Sequence, residues 1–257
     1  MKFTLAPFLT LAAAAANVDF HPSFSGYLHH GTSLGHLTTI ANISTYITGS
    51  ARSRNTILYL TDIFGHNLTN AHLLADKLAS AGNLVVVPDL FNGDPIPFPL
   101  TADFDFPPWI AKHNDASVEG ILGAFRAALK GSRYETETLT AVGYCFGARY
   151  VVRLLAEEGA LVAGYIAHPG NVTPEDLAQV KGPLSVAAAE VDTAFPKELR
   201  WAGEVALAGT GVRWEIKLWQ GVEHGFAVRW EKGEEWAEWV AREAREQAVG
   251  WFKNFVR

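Results

Sequence analysis

Cys145 is the only cysteine in 257 residues, and it sits in Gly143-Tyr144-Cys145-Phe146-Gly147. A short apolar run from Leu139 leads into this stretch, and a helix-like run from Ala148 to Glu158 leaves it. A Gly-x-nucleophile-x-Gly turn between strand and helix is a nucleophile elbow, whose glycines leave room for a side chain thrust outward. A cysteine attacks as its thiolate, so it needs a base to take the proton and a third group to orient that base. Of nine histidines, only His168 and His224 follow Cys145. His224 lies in the loop Gln220-Gly-Val-Glu-His-Gly-Phe226, just past an apolar run, where an imidazole can reach back over strand tips. Asp192 and Glu190 both follow Leu184-Ser-Val-Ala-Ala-Ala189, and strand alternation points them to one side. Asp192 is favoured because it falls in the turn before Phe195-Pro196 opens a helix. The expected set is Cys145 as nucleophile, His224 as base and Asp192 as orienting acid. His168, beside Pro169 and Gly170, reads as a structural histidine with its hydrogen bonds satisfied or as a pocket-lining one.

These residues need elements to hold them. Thr38 to Thr48 is β-branched and alternating, as in an antiparallel pair. Thr56–Leu60, Leu84–Pro88, the elbow strand, Leu161–Ala167 and Pro183–Ala189 are apolar runs suited to strands buried on both faces. Val212–Trp219 alternates like a strand near a sheet edge. Helical spacing covers Ala71–Ala79, Asp115–Leu129, a short segment from Pro174, Lys197–Leu207 and Glu231–Val256. Alternation of strands and helices predicts an α/β protein of the α/β-hydrolase type, a mostly parallel sheet with helices on both faces. Residues 17–257 read as one domain. The proline-rich stretch 89–114 carries five Phe or Trp residues, which suits a lid or pocket wall better than a connector.

The totals narrow the function. A net charge of -6 argues against nucleic acid and anionic membrane as partners. One cysteine rules out an intrachain disulfide framework or a CxxC metal site. His29, His30 and His36 have no acidic or further histidine partner at ligand spacing, so no metal is expected. Residues 1–16, with Lys2 ahead of an apolar run ending in alanines, have the order of a secretory signal peptide and predict a secreted protein. That run is too short to span a bilayer. Sequons at Asn42, Asn67 and Asn171 fit secretion, with Asn67 expected to stay unmodified near the pocket mouth.

With these residues in view, the chain resembles the dienelactone hydrolase family, the α/β-hydrolase branch that uses Cys, His and Asp. The resemblance rests on Gly143–Gly147, Asp192-Thr-Ala-Phe-Pro196, His224-Gly-Phe226 and Asp62-Ile-Phe-Gly-His-Asn67. Gly26-Tyr-Leu-His-His-Gly-Thr32 with Thr45-Tyr46-Ile47 is similar to fungal members. The resemblance implies an oxyanion hole from the backbone N–H groups of Ile63 and Phe146. It also implies that Asp62 meets and helps activate the thiol, with Tyr144 beside it at the pocket. The paired arginines that hold a lactone carboxylate in bacterial members are missing: the 89–114 loop has none, and Val228 stands four residues after His224 with Arg229 one place late. The expected substrate is therefore a small apolar or aromatic ester, thioester or lactone, cleaved without a cofactor. Trp109, Lys112 and His113 stand as pocket or surface residues. Acyl transfer to an alcohol and a catalytically silent binding protein are the rival readings.

Overall fold

The computed structural model describes residues 26–101 and 103–256. The signal-like segment 1–16 lies outside these residues. Eight strands form one sheet in the order β1-β2-β4-β3-β5-β6-β7-β8. β1 (His36–Ile40) and β2 (Ile43–Thr48) form a hairpin, and β2 runs antiparallel to β4 (Leu84–Pro88). From β4 onward every pairing is parallel, through β3 (Asn55–Leu60), β5 (Thr138–Tyr144), β6 (Gly164–Ala167), β7 (Leu184–Val191) and β8 (Trp214–Glu223). This is the expected α/β-hydrolase sheet, with β8 at its edge.

The buried strands alternate their side chains between two apolar layers. Leu58, Leu60 and Val86 join one layer with Val118, Leu122 and Phe125 of α3 (Asp115–Leu129) and Val151 and Leu154 of α4 (Phe146–Ala156). Ile57, Tyr59 and Val87 join the other, with Leu74 and Leu78 of α1 (Thr69–Ala79) and Val240, Ala244 and Phe252 of α7 (Glu235–Lys253). β3 is buried at every position, which is why it reads as an unbroken apolar run.

Between β4 and α3, the proline-rich stretch contains α2 (Phe106–Lys112), which hydrophobic periodicity did not suggest. Its start is encoded by Pro107 and Pro108, which suit a first helical turn where N–H groups lack partners anyway. In the same apolar layer as α3 and α4, α5 (Pro174–Leu177) opens with a capping box between Thr173 and Asp176. α6 (Lys197–Ala208) then follows the turn that carries Asp192. The loops that leave the carboxyl ends of β3, β5, β7 and β8 thus bring Asp62, Cys145, Asp192 and His224 to one end of the sheet.

Candidate active site

Cys145 occupies the turn between β5 and α4 with φ 52° and ψ −112°. That region is sparsely populated for a residue with a Cβ and costs of order 1–3 kcal/mol, so the surroundings must enforce it. They do. Cys145 donates its N–H to the Ala167 carbonyl at 3.2 Å, and its own carbonyl accepts from Ala148 at 3.1 Å and Gly170 at 3.0 Å. A Cβ on Gly143 would lie 2.7 Å from Ala148 Cα, and one on Gly147 only 2.2 Å from the Leu60 carbonyl oxygen. Both glycines are therefore steric requirements of the turn. The thiol is 7% exposed, at the head of α4, where the helix dipole favours negative charge.

His224 sits beyond β8 and is hydrogen-bonded to Cys145. Its Nδ1 lies 2.9 Å from each oxygen of Asp192, leaving Nε2 for the sulfur. Asp192 is held in turn by the N–H groups of Ala194 at 2.8 Å and Phe195 at 3.1 Å, both given to Oδ1. Burial opposes charge on His224, but the negative sulfur of Cys145 and the Asp192 carboxylate outweigh it and push its pKa up to about 10. The site thus favours the imidazolium form of His224.

Glu190 does not share the side of Asp192. A register shift between Ala189 and Val191 breaks the alternation, leaving Glu190 exposed, where it accepts the Gly221 N–H at 2.8 Å. It ties β7 to β8 and leaves the histidine to Asp192.

The loop after β3 is tightly specified. Asp62 Oδ1 accepts the Phe64 N–H at 3.1 Å, the Asp62 carbonyl accepts from Gly65 at 3.2 Å, and the Ile63 carbonyl accepts from Ile96 at 2.9 Å. Among the described residues, neither the Ile63 nor the Phe146 N–H donates to a protein acceptor, so both stay available to an incoming oxygen. The other oxygen of Asp62 is bound by Arg229, and both residues are almost fully buried. Asp62, expected to meet the thiol, here serves as the counter-charge of a buried guanidinium, which cannot be left unpaired. Arg229 also lies over the Phe64 ring, 4.9 Å from its centroid.

Tyr144 was expected beside the thiol at the pocket. It is 1% exposed and packs on Tyr59 and Tyr165 in the layer beneath α1 and α7, because it alternates with Gly143 along β5. His168 does not have the satisfied hydrogen bonds of a structural histidine. Fully buried at φ 36°, it has no hydrogen-bond partner for either ring nitrogen among the described residues. Its ring centroid is 5.1 Å from that of His224, and burial, reinforced by His224 and Arg229, holds it neutral.

The stretch 89–114 packs an aromatic cluster against the nucleophile turn. Trp109 packs on Phe91 and on Phe146, the residue after the nucleophile. Trp109 Nε1 donates to the Asp94 carbonyl at 2.8 Å, while the Asp94 carboxylate holds His113 at 2.9 Å and Lys112 at 2.5 Å. Trp109 and His113 are buried and Lys112 is exposed. Asn42, Asn67 and Asn171 are all exposed, so exposure does not single out Asn67. Among the described residues no cluster of His, Cys, Asp and Glu could hold a metal, and no helix is long and apolar enough to cross a membrane.

The family model described as "Dienelactone hydrolase family" matches residues 43–256. The hydrolase pyvD of Aspergillus violaceofuscus is 37% identical over 234 residues, covering 90% of this chain and 95% of that one. The hydrolase tropI of Talaromyces stipitatus is 36% identical over 245 residues, covering 91% and 95%. In structure, a candidate dienelactone hydrolase of Klebsiella pneumoniae superposes with a TM-score of 0.72 at 18% identity, over 86% of this chain and 98% of that one.

Proposed function

Because this chain belongs to the dienelactone hydrolase family, we propose that it is a hydrolase that works through an acyl-Cys145 intermediate on a small apolar or aromatic ester, thioester or lactone. The observation that carries this reading is the line from the strained Cys145 through His224 to Asp192.

The thiolate of Cys145 adds to the substrate carbonyl carbon, and the carbonyl π pair moves onto oxygen. The N–H groups of Ile63 and Phe146 receive that oxyanion; losing one such donor costs about 2.7–4 kcal/mol of transition-state stabilisation. As the oxyanion collapses, the carbon–oxygen or carbon–sulfur bond to the leaving group breaks, and imidazolium Nε2 gives that group its proton. Neutral His224 then takes a proton from water as the water attacks the thioester. The acid departs and the thiolate–imidazolium pair is restored. Asp192 keeps the imidazole in the tautomer that presents Nε2 to the sulfur.

The substrate class is supported by the Phe91–Trp109–Phe146 cluster beside the nucleophile. It is supported also by Arg229, which is already engaged by a carboxylate of the protein. Replacing Cys145 with Ala is expected to abolish turnover of p-nitrophenyl acetate, whereas a rate close to wild type would refute the assignment.

A further inference from the structure

A cavity of about 790 Å³ opens between α1 and α7 and shares no lining residue with the set around Cys145. Its size falls within the roughly 300–1,000 Å³ typical of small-molecule sites. The lining carries five cations (Lys77, Lys232, Arg242, Arg245 and Lys253) against the two carboxylates of Glu238 and Glu246, a formal surplus of three positive charges. This surplus stands out on a chain whose net charge is -6. Of the two acids, Glu246 is hydrogen-bonded by Arg245 at 2.9 Å, a pair that engages one of the five cations as well, and Glu238 accepts the Gly233 N–H at 2.9 Å.

Part of the lining is apolar: Leu73 and Leu74 from α1, Val249 from α7, and the Trp230 ring. That wall is fixed. Buried His29 bonds the Trp230 carbonyl through Nε2 at 2.9 Å, and the two rings meet edge-on at 3.9 Å between centroids. Lys77 stands 5.9 Å from the Trp230 ring centroid. Partial withdrawal from water and the nearby Arg245 weaken its hold on its proton, a condition that a bound anion would relieve.

From this pairing of a cationic rim with an aromatic and aliphatic floor, we infer that the α1–α7 cleft binds a small amphipathic anion, an apolar chain or ring bearing a carboxylate, sulfate or phosphate head. The head sits among Lys77, Arg245 and Lys253, and the apolar body covers Trp230 and Leu73.

Isothermal titration of the full chain with decanoate, decanol and inorganic phosphate tests the proposal, using wild type and the variants Lys77→Glu/Arg245→Glu and Lys77→Gln/Arg245→Gln. Decanoate is expected to bind one per chain, with affinity falling about tenfold or more in either double variant and falling with added salt. Decanol and phosphate are each expected to bind far more weakly, and both variants should keep wild-type ester turnover. The milder Gln pair covers the case in which charge reversal prevents folding. Unchanged decanoate binding in the Gln pair would overturn the inference. So would decanol or phosphate binding as tightly as decanoate, or decanoate binding only in competition with ester substrate.

Discussion

At the scale of single residues, the site depends on charges that stabilise one another. His224 has its pKa raised to about 10 although burial opposes it, with Cys145 the main supporting charge. A raised histidine pKa adds stability that is full below the unfolded value of about 6.5 and is lost as pH climbs through the folded value. Thermal stability should therefore decline from neutral pH toward pH 10, and imidazole NMR should show His224 protonated up to that range. In Cys145→Ala the supporting charge is gone, so the His224 midpoint should move to lower pH and the decline should shrink; an unmoved midpoint would contradict the ion pair. Asp192→Asn would favour the wrong tautomer, and kcat/KM should fall by up to about 10⁴-fold, as read with an activated ester. Asp62 and Arg229 form the other buried pair. Arg229→Leu would strand the carboxylate and should cost about 3–5 kcal/mol in denaturant unfolding, while Asp62→Leu/Arg229→Met should cost clearly less. Cys145, Asp192 and His224 were legible because their order and strand-end positions are visible in one dimension. Arg229 was not, since its pairing with Asp62 joins residues 167 positions apart.

At the scale of elements, strands and helices were legible wherever periodicity was strong, as in α3, whose bounds of Asp115–Leu129 matched expectation. α2 was hidden because prolines mask a helical pattern even when they sit where a helix tolerates them. The register shift in β7 was also hidden, and it turns Glu190 away from the side that Asp192 takes. Tyr144 followed from strand alternation once β5 was known to continue to the elbow itself. The loop from β4 to α3 packs on the nucleophile turn through Phe91, Trp109 and Phe146, and its Ile96 fixes the Ile63 peptide. Asp94→Ala, which deprives buried His113 of its acceptor, should destabilise by about 1–3 kcal/mol and raise KM more than it lowers kcat. Equal losses in both would show that the loop does not contact substrate. In Gly147→Ala the added methyl meets the Leu60 carbonyl backbone rather than a movable side chain, so loss of folding or of activity is expected.

At the scale of the whole molecule, one sheet order explains why residues distant in sequence meet. β3, β5, β6, β7 and β8 run parallel, so every loop that follows one of them emerges at the same end. The α1–α7 cleft, by contrast, is set by helices on a sheet face, and no motif in the sequence announced it. The leader expected over residues 1–16 is tested by export: protein recovered from the medium of a eukaryotic host should then begin near Asn17, and an intact Met1 on exported protein would contradict the expectation. The central claim is the covalent chemistry of Cys145, and mass spectrometry of acid-quenched reactions with p-nitrophenyl acetate tests it most directly. One acetyl group is expected on the peptide containing Cys145, appearing within the first turnover and absent from Cys145→Ala. An acetyl group on another residue, or turnover in Cys145→Ala at the wild-type rate, would contradict it.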